Sequence, residues 1–101
     1  MRELLLISQQ DNVATALRDL SAGEDARFFV QGEEQCIAIH EAIPFGHKVA
    51  ITDISPGELI VKYGEVIGRC TQAIAVGHHV HIHNVEGIRG RGDLSQGDET
   101  N

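Results

Sequence analysis

Apolar positions along this chain come in short runs, each cut off by a glycine-centred turn. The runs read as strands at 3–8 (ELLLIS), 13–18 (VATALR), 27–30 (RFFV), 36–39 (CIAI), 47–52 (HKVAIT), 59–61 (LIV), 66–68 (VIG) and 79–83 (HVHIH). SAGE, QGEE, IPFGH, SPGE, KYGE and AVGH stand between them as turn signals. Turns at intervals of roughly 8–12 residues predict an all-β fold. The segment 11–20 also fits one short helix, because Val13, Ala16, Leu17 and Leu20 share a helical face behind an Asp or Asn cap. Strand is the preferred reading for 13–18.

Two pieces of the pattern recur. VATALRDLSAGE (13–24) matches VAITDISPGE (49–58) with two residues inserted, and AIPFGHKV (42–49) matches AIAVGHHV (73–80). The unequal spacing excludes a solenoid. The shared element is a turn whose glycine supplies positive φ before the next strand. Such units suit a small β-structure folded over with pseudo-symmetry.

Four of the six histidines lie in VGHHVHIHNVEG, 76–87. Alternation along a strand points Val80 and Ile82 into the core and sets His79, His81 and His83 in a row on the other face. His78 falls on the core side, at the turn. Same-face neighbours lie roughly 7 Å apart, so two imidazoles can converge on one ion. Imidazole suits Zn, Fe, Mn, Ni or Cu. Periodicity leaves three readings open: metal ligands, substrate-contacting acid–base groups near neutral pH, or the polar face of a half-buried strand.

The 101 residues fit one domain with a small core. With three Phe, one Tyr and no Trp, that core must rest on Ile, Val, Leu and Ala. A net charge of −7 argues against nucleic acid and anionic membrane surfaces as partners. A small anionic substrate would need a local cation. Cys36 and Cys70 form no Cys-x-x-Cys and read as buried small residues in a reducing cytoplasm. MRELLLIS has too short an apolar run for a signal segment or a membrane span and reads as a first strand.

Two further spots set polar groups beside tight backbone. Gly46-His47-Lys48 emerges at a turn, and Lys48 is one of only two lysines. Asp11-Asn12 precedes Val13, where an Asx turn or a cap is the plain alternative. Tyr63-Gly64-Glu65 reads as a type I or II turn with Glu65 facing water. Nucleophile elbow, P-loop, His-Glu-x-x-His and dinucleotide fingerprints are absent. No self-sufficient active site is legible.

Taken as an ordered set, Asp-Asn-Val-Ala, Gly-His-Lys, Lys-Tyr-Gly-Glu-x-Ile-Gly and His-x-His-Asn resemble the N-terminal SAF-type module of the altronate and galactarate dehydratase family. The resemblance covers residues 5–94. In some members the module is a separate small subunit, and this chain looks like that form. The resemblance implies a β-clip, a long hairpin folded over itself, across 1–90; the glycine-rich, mixed-charge composition of the C-terminal end separately predicts a flexible tail at 91–101. It implies hydro-lyase action on an aldonate or aldarate, giving a 2-keto-3-deoxy acid. It implies a divalent metal, usually Fe2+ with Mn2+ an alternative, and a large catalytic subunit without which this chain is inactive. His81 and His83 would act as catalytic or metal-holding groups. His47 and Lys48 would steady the substrate carboxylate, with Asp11, Asn12 and Asn84 lining the same mouth. His78 and His79 fall outside the motif. The sulfolactate sulfo-lyase small subunit is a sister branch, and the HNVEGIRGRGDL ending looks closer to the sugar-acid side. A non-enzymatic SAF-type carbohydrate-binding or assembly module is the alternative from another class. Exposed strand edges would also let the isolated chain pair with itself.

Overall fold

The computed structural model describes residues 2–88, and among these no helix occurs. Nine short strands form instead: β1 (Leu4–Leu5), β2 (Val13–Ala16), β3 (Asp25–Val30), β4 (Glu33–Ala38), β5 (Lys48–Ala50), β6 (Leu59–Lys62), β7 (Glu65–Cys70), β8 (His79–Val80) and β9 (Val85–Gly87). The all-β expectation holds, and 13–16 is strand rather than helix. The tail expected at 91–101 lies outside the described residues.

An antiparallel sheet in the order β1-β2-β5-β8 forms the centre. Its register sets Val13 opposite Ala50, and Lys48 opposite both Thr15 and Val80; Ala14 and His79 both face Val49. Side chains therefore sort onto two faces. Leu4, Ala14, Ala16 and Val49 pack with Leu20, Ala26, Phe28, Ile39 and Ile43 on one side. Val13, Ala50 and Val80 pack with Ile54, Ile60, Cys70 and Ile74 on the other. Covering on both faces explains why VATA reads as nearly continuous apolar sequence. Each fully buried branched side chain contributes about 1.5–3 kcal/mol, so two small aliphatic clusters stabilise a chain poor in aromatics.

The hairpin β3–β4 covers the first face, and the sheet β6-β7-β9 covers the second. Both hairpins turn on two residues with positive φ: Gln31 (51°) with Gly32 (83°), and Tyr63 (56°) with Gly64 (78°). This is the type I′ pattern, whose twist matches the strands it joins. The type I or II reading of Tyr63-Gly64 is thereby corrected. Cys70 is buried, but Cys36 is exposed on the open hairpin β3–β4, against the expectation that both are buried.

The weak repeat is a real structural repeat. Leu20 and Ile43 exchange backbone hydrogen bonds, as do Ile54 and Ile74. Gly23 N–H donates to Ile39 C=O, and Gly57 N–H to Cys70 C=O. Glu24 accepts from Ser21 N–H, as Glu58 does from Ser55 N–H. Asp19 accepts from Phe45 N–H, and Asp53 from Val76 N–H. Gly46 and Gly77 both donate into β-strand carbonyls, of Ala16 and Ala50. His47 and Lys48 thus correspond to His78 and His79.

Candidate functional site

The strand expected at 79–83 ends at Val80. Residues 81–84 form a turn that carries the chain from the central sheet to β9 in the second sheet. Asn84 N–H donates to His81 C=O across it. The buried Asn84 side chain accepts from His81 N–H at 2.9 Å and donates to His79 C=O at 2.9 Å. Ile82 sits at the tip and is 83% exposed, so its expected place in the core is wrong. Strand alternation failed here because a short-side-chain amide satisfied the backbone locally and replaced the ladder.

That turn folds His81 back over the sheet. The His81 ring stacks on His47 at 4.4 Å between centroids and on His79 at 5.3 Å. His47 and His79 stack at 5.0 Å, with Nδ1 of His47 2.9 Å from Nε2 of His79. His47 comes from the turn before β5, so the cluster joins the two halves of the repeat. His83 lies beside it, tilted, 5.4 Å from the His79 ring. Burial pushes the His79 and His81 imidazoles below the ordinary value of 6.5, and the neighbouring His47 and His83 push further. Lys48 adds its charge at His81.

One ring nitrogen from each of His47, His79 and His81 lies within 4.8 Å of the others. Nitrogens around a tetrahedral ion with bonds of about 2.0–2.1 Å stand roughly 3.4 Å apart, so modest ring rotation closes the set. Three imidazoles with an open position are the donor set of a catalytic metal site. The residues fit a divalent ion.

Two cavities flank the turn and share no lining residue. One, of about 210 Å³, is lined by Lys48, Ile67, His81, Ile82, Val85 and Gly87. Burial, and then the charge of Lys62, hold the Lys48 ammonium below its ordinary value. The other, of about 360 Å³, includes Glu41, His78, His83 and Asn84 in its lining. Here Glu41 Oε2 accepts from the His78 ring and from His79 N–H, each at 3.0 Å. Burial works to raise the Glu41 carboxyl, but these hydrogen bonds outweigh it and hold it below its ordinary value. The His40 ring stacks on His78 at 5.3 Å.

Residues 2–87 match the family described as the altronate/galactarate dehydratase SAF domain. The chain belongs to this family. Among its relatives, altronate dehydratase of Bacillus subtilis (strain 168) is 41% identical over 86 residues, which is 85% of this chain and 16% of that protein. Altronate dehydratase of Escherichia coli (strain K12) is 40% identical over 82 residues, 81% of this chain and 16% of that one. The (2R)-sulfolactate sulfo-lyase subunit alpha of Chromohalobacter salexigens is 39% identical over 69 residues, 66% of this chain and 73% of the subunit. This SAF domain thus spans 16% of the length of those two dehydratases.

The SAF fold places the sequence-derived candidates unevenly. His47, His81 and Lys48 are brought together around the cluster, with His83 at its side. His79, outside the expected motif, stands at the centre; its signal was the repeat that aligns it with Lys48. Asn84 is spent on the backbone of the histidine turn. The buried Asp11 carboxylate accepts from the backbone N–H of Ile7, Ser8 and Gly64. Asn12 bridges to β6, accepting from Val61 N–H and donating to Leu59 C=O. Both tie β1, β2 and the Tyr63-Gly64 turn together. Glu41, the anchor of His78 and His79, was missed; an acid in an exposed loop gives no periodic signal. Among the described residues, no helix is long and apolar enough to cross a membrane.

Proposed function

We propose that this SAF domain acts as the small subunit of a sugar-acid hydro-lyase. With a large catalytic subunit it dehydrates an aldonate or aldarate to a 2-keto-3-deoxy acid. The observation that carries the reading is the three-imidazole cluster beside Lys48, set in a domain of the altronate/galactarate dehydratase family. The three residues are only half-buried, as in half a site. The reading sets the protein in the cytoplasm and assigns it no turnover alone.

Dehydration next to a carboxylate removes the proton from the adjacent carbon and expels the neighbouring hydroxyl as water; the enol so formed tautomerises to the keto acid. His47, His79 and His81 would hold a divalent ion, Fe2+ in the first instance. Such an ion supplies Lewis-acid stabilisation of negative charge on substrate oxygens. Lys48 pairs with the substrate carboxylate, which relieves the repulsion from Lys62. His83, exposed and adjacent to His79, is placed to give the leaving hydroxyl its proton.

A specific observation favours a second substrate class: the sulfo-lyase relative is a separate subunit matched over 73% of its length. The test is to co-express the chain with a large subunit of the family and assay altronate, galactarate and sulfolactate. Keto-acid formation only with both chains present, lost in His79→Ala and His81→Ala, is the expected result. Turnover of sulfolactate alone moves the chain to the sulfo-lyase branch. No co-purification and no effect on turnover would leave a non-enzymatic SAF module.

A further inference from the structure

The cavity beside Glu41 and His78 enters the chemistry above only through His83, at its border. It measures about 360 Å³, within the range of small-molecule sites. Its polar groups have a defined sense. Glu41 Oε2 takes both hydrogen bonds, one from His78 Nδ1 and one from His79 N–H. Among the described residues its Oε1 takes none, so one carboxylate oxygen is left as an acceptor. Gln72 is held by donation to His83 C=O at 2.7 Å, which leaves its side-chain oxygen. The lining therefore offers the remaining Glu41 carboxylate oxygen and the Gln72 side-chain oxygen as acceptors.

Such a lining repels a carboxylate and suits hydroxyl donors. The cavity at Lys48 has the opposite character, and the 81–84 turn stands between the two. His83 lines the acceptor cavity while its ring lies 5.4 Å from His79, so the two sites are adjacent across the cluster. We infer that the Glu41–His78 cavity is the subsite for the hydroxylated chain of the sugar acid, Glu41 being its positioning residue. Carboxylate at Lys48 and polyol at Glu41 would fix the direction in which substrate lies. This rests on the sugar-acid reading. On that placement a three-carbon acid held at Lys48 would stop short of the cavity, and a six-carbon acid would continue into it.

The test uses the complex with the large subunit. kcat/KM is measured for D-altronate and for glycerate, a three-carbon acid, in wild type, Glu41→Ala and Glu41→Gln. The expected result is a drop of at least tenfold in the altronate-to-glycerate ratio for E41A, carried mainly by KM. E41Q, whose carbonyl still accepts from His78, should recover much of that ratio. If Glu41 only braces His79, both acids suffer alike and the ratio stays fixed, which overturns the subsite. If the complex turns over neither acid, the sugar-acid reading fails and the subsite falls with it. As a second readout, galactitol should shift the amide signals of residues 72–75 in the labelled chain and not those of 47–50; the reverse pattern also overturns it.

Discussion

Asn84 is the residue on which the histidine cluster depends, and its removal has a calculable effect. Asn84→Ala deletes two hydrogen bonds of 2.9 Å, one from His81 N–H and one to His79 C=O, which tie the end of the turn back to its start. A net 0.5–1.5 kcal/mol for each gives a loss of about 1–3 kcal/mol. His79 and His81 are half-buried, so water partly satisfies the orphaned carbonyl and N–H, and about 2 kcal/mol is the central figure. In a domain of this size that lowers Tm by roughly 8–16 °C. The turn also fixes where the His81 ring stands. Loss of such a supporting contact costs about 10–100-fold in metal affinity. Thermal unfolding and a titration with Co2+, whose visible bands report coordination, measure both effects on one preparation. Asn84→Asp separates the two bonds: it can accept from His81 N–H but sets an oxygen against His79 C=O, so it should be no more stable than alanine. A Tm within about 2 °C of wild type, with unchanged Co2+ affinity, would refute the claim that this amide builds the site.

Three other outcomes follow from the same geometry. Gly77 and Gly46 are repeat equivalents with φ of 89° and 84°, but a Cβ at Gly77 meets Ala38 O at 2.1 Å while Gly46 has open space; urea melts should cost Gly46→Ala about 1–2 kcal/mol and Gly77→Ala visibly more. His79→Ala should lower Co2+ affinity at least tenfold and His83→Ala should not, since only His79 belongs to the three-nitrogen set. Glu3 accepts from Arg27 through three N–H groups, which hold its carboxyl at about 2 against an ordinary 4.5. The folded value is depressed, so the stabilisation is present above about 4.5 and is lost as pH falls toward 2. At most it is about 3 kcal/mol, and the 38% exposure of the Arg27 side chain screens it to about 1–2. Urea midpoints of Glu3→Gln should show that acid dependence flattened.

Much of the fold was legible because its determinants are local. Glycine turns and aliphatic runs located the first eight strands, and the paired motifs anticipated a repeat later seen in backbone hydrogen bonds. β9 was missed because Val85-Glu86-Gly87 has no run of its own; it is strand only because Gly68, Arg69 and Cys70 offer an edge. The site was legible by residue type and not by partner. Period-2 alternation grouped His79, His81 and His83, but the Asn84 turn broke the period. Contact across the repeat then added His47, 32 positions from His79. Long-range pairing of that kind leaves no trace in spacing.

The repeat also explains why chemistry collects where it does. Both halves use the same skeleton: a glycine donating into the preceding strand, then two residues leading into β5 or β8. In the first half the strand β5 is central, flanked by β2 and β8, and must supply Val49 and Ala50 to two cores. In the second half β8 is the edge, with no strand beyond it among the described residues. An edge strand has one neighbour fewer; Val80 still packs in the second cluster, but His79 is only half-buried. That freedom is what permits His79 where the central strand carries Lys48, and a polar turn where a longer ladder would otherwise run. The Asn84 turn then closes the exposed end and turns His81 toward His47, the corresponding position of the other half being His78. The central strand therefore carries the structural load, while the edge strand and its turn bring two of the three imidazoles to His47; substitutions at Val49 and Ala50 should cost stability where those at His79 and His81 cost ion binding.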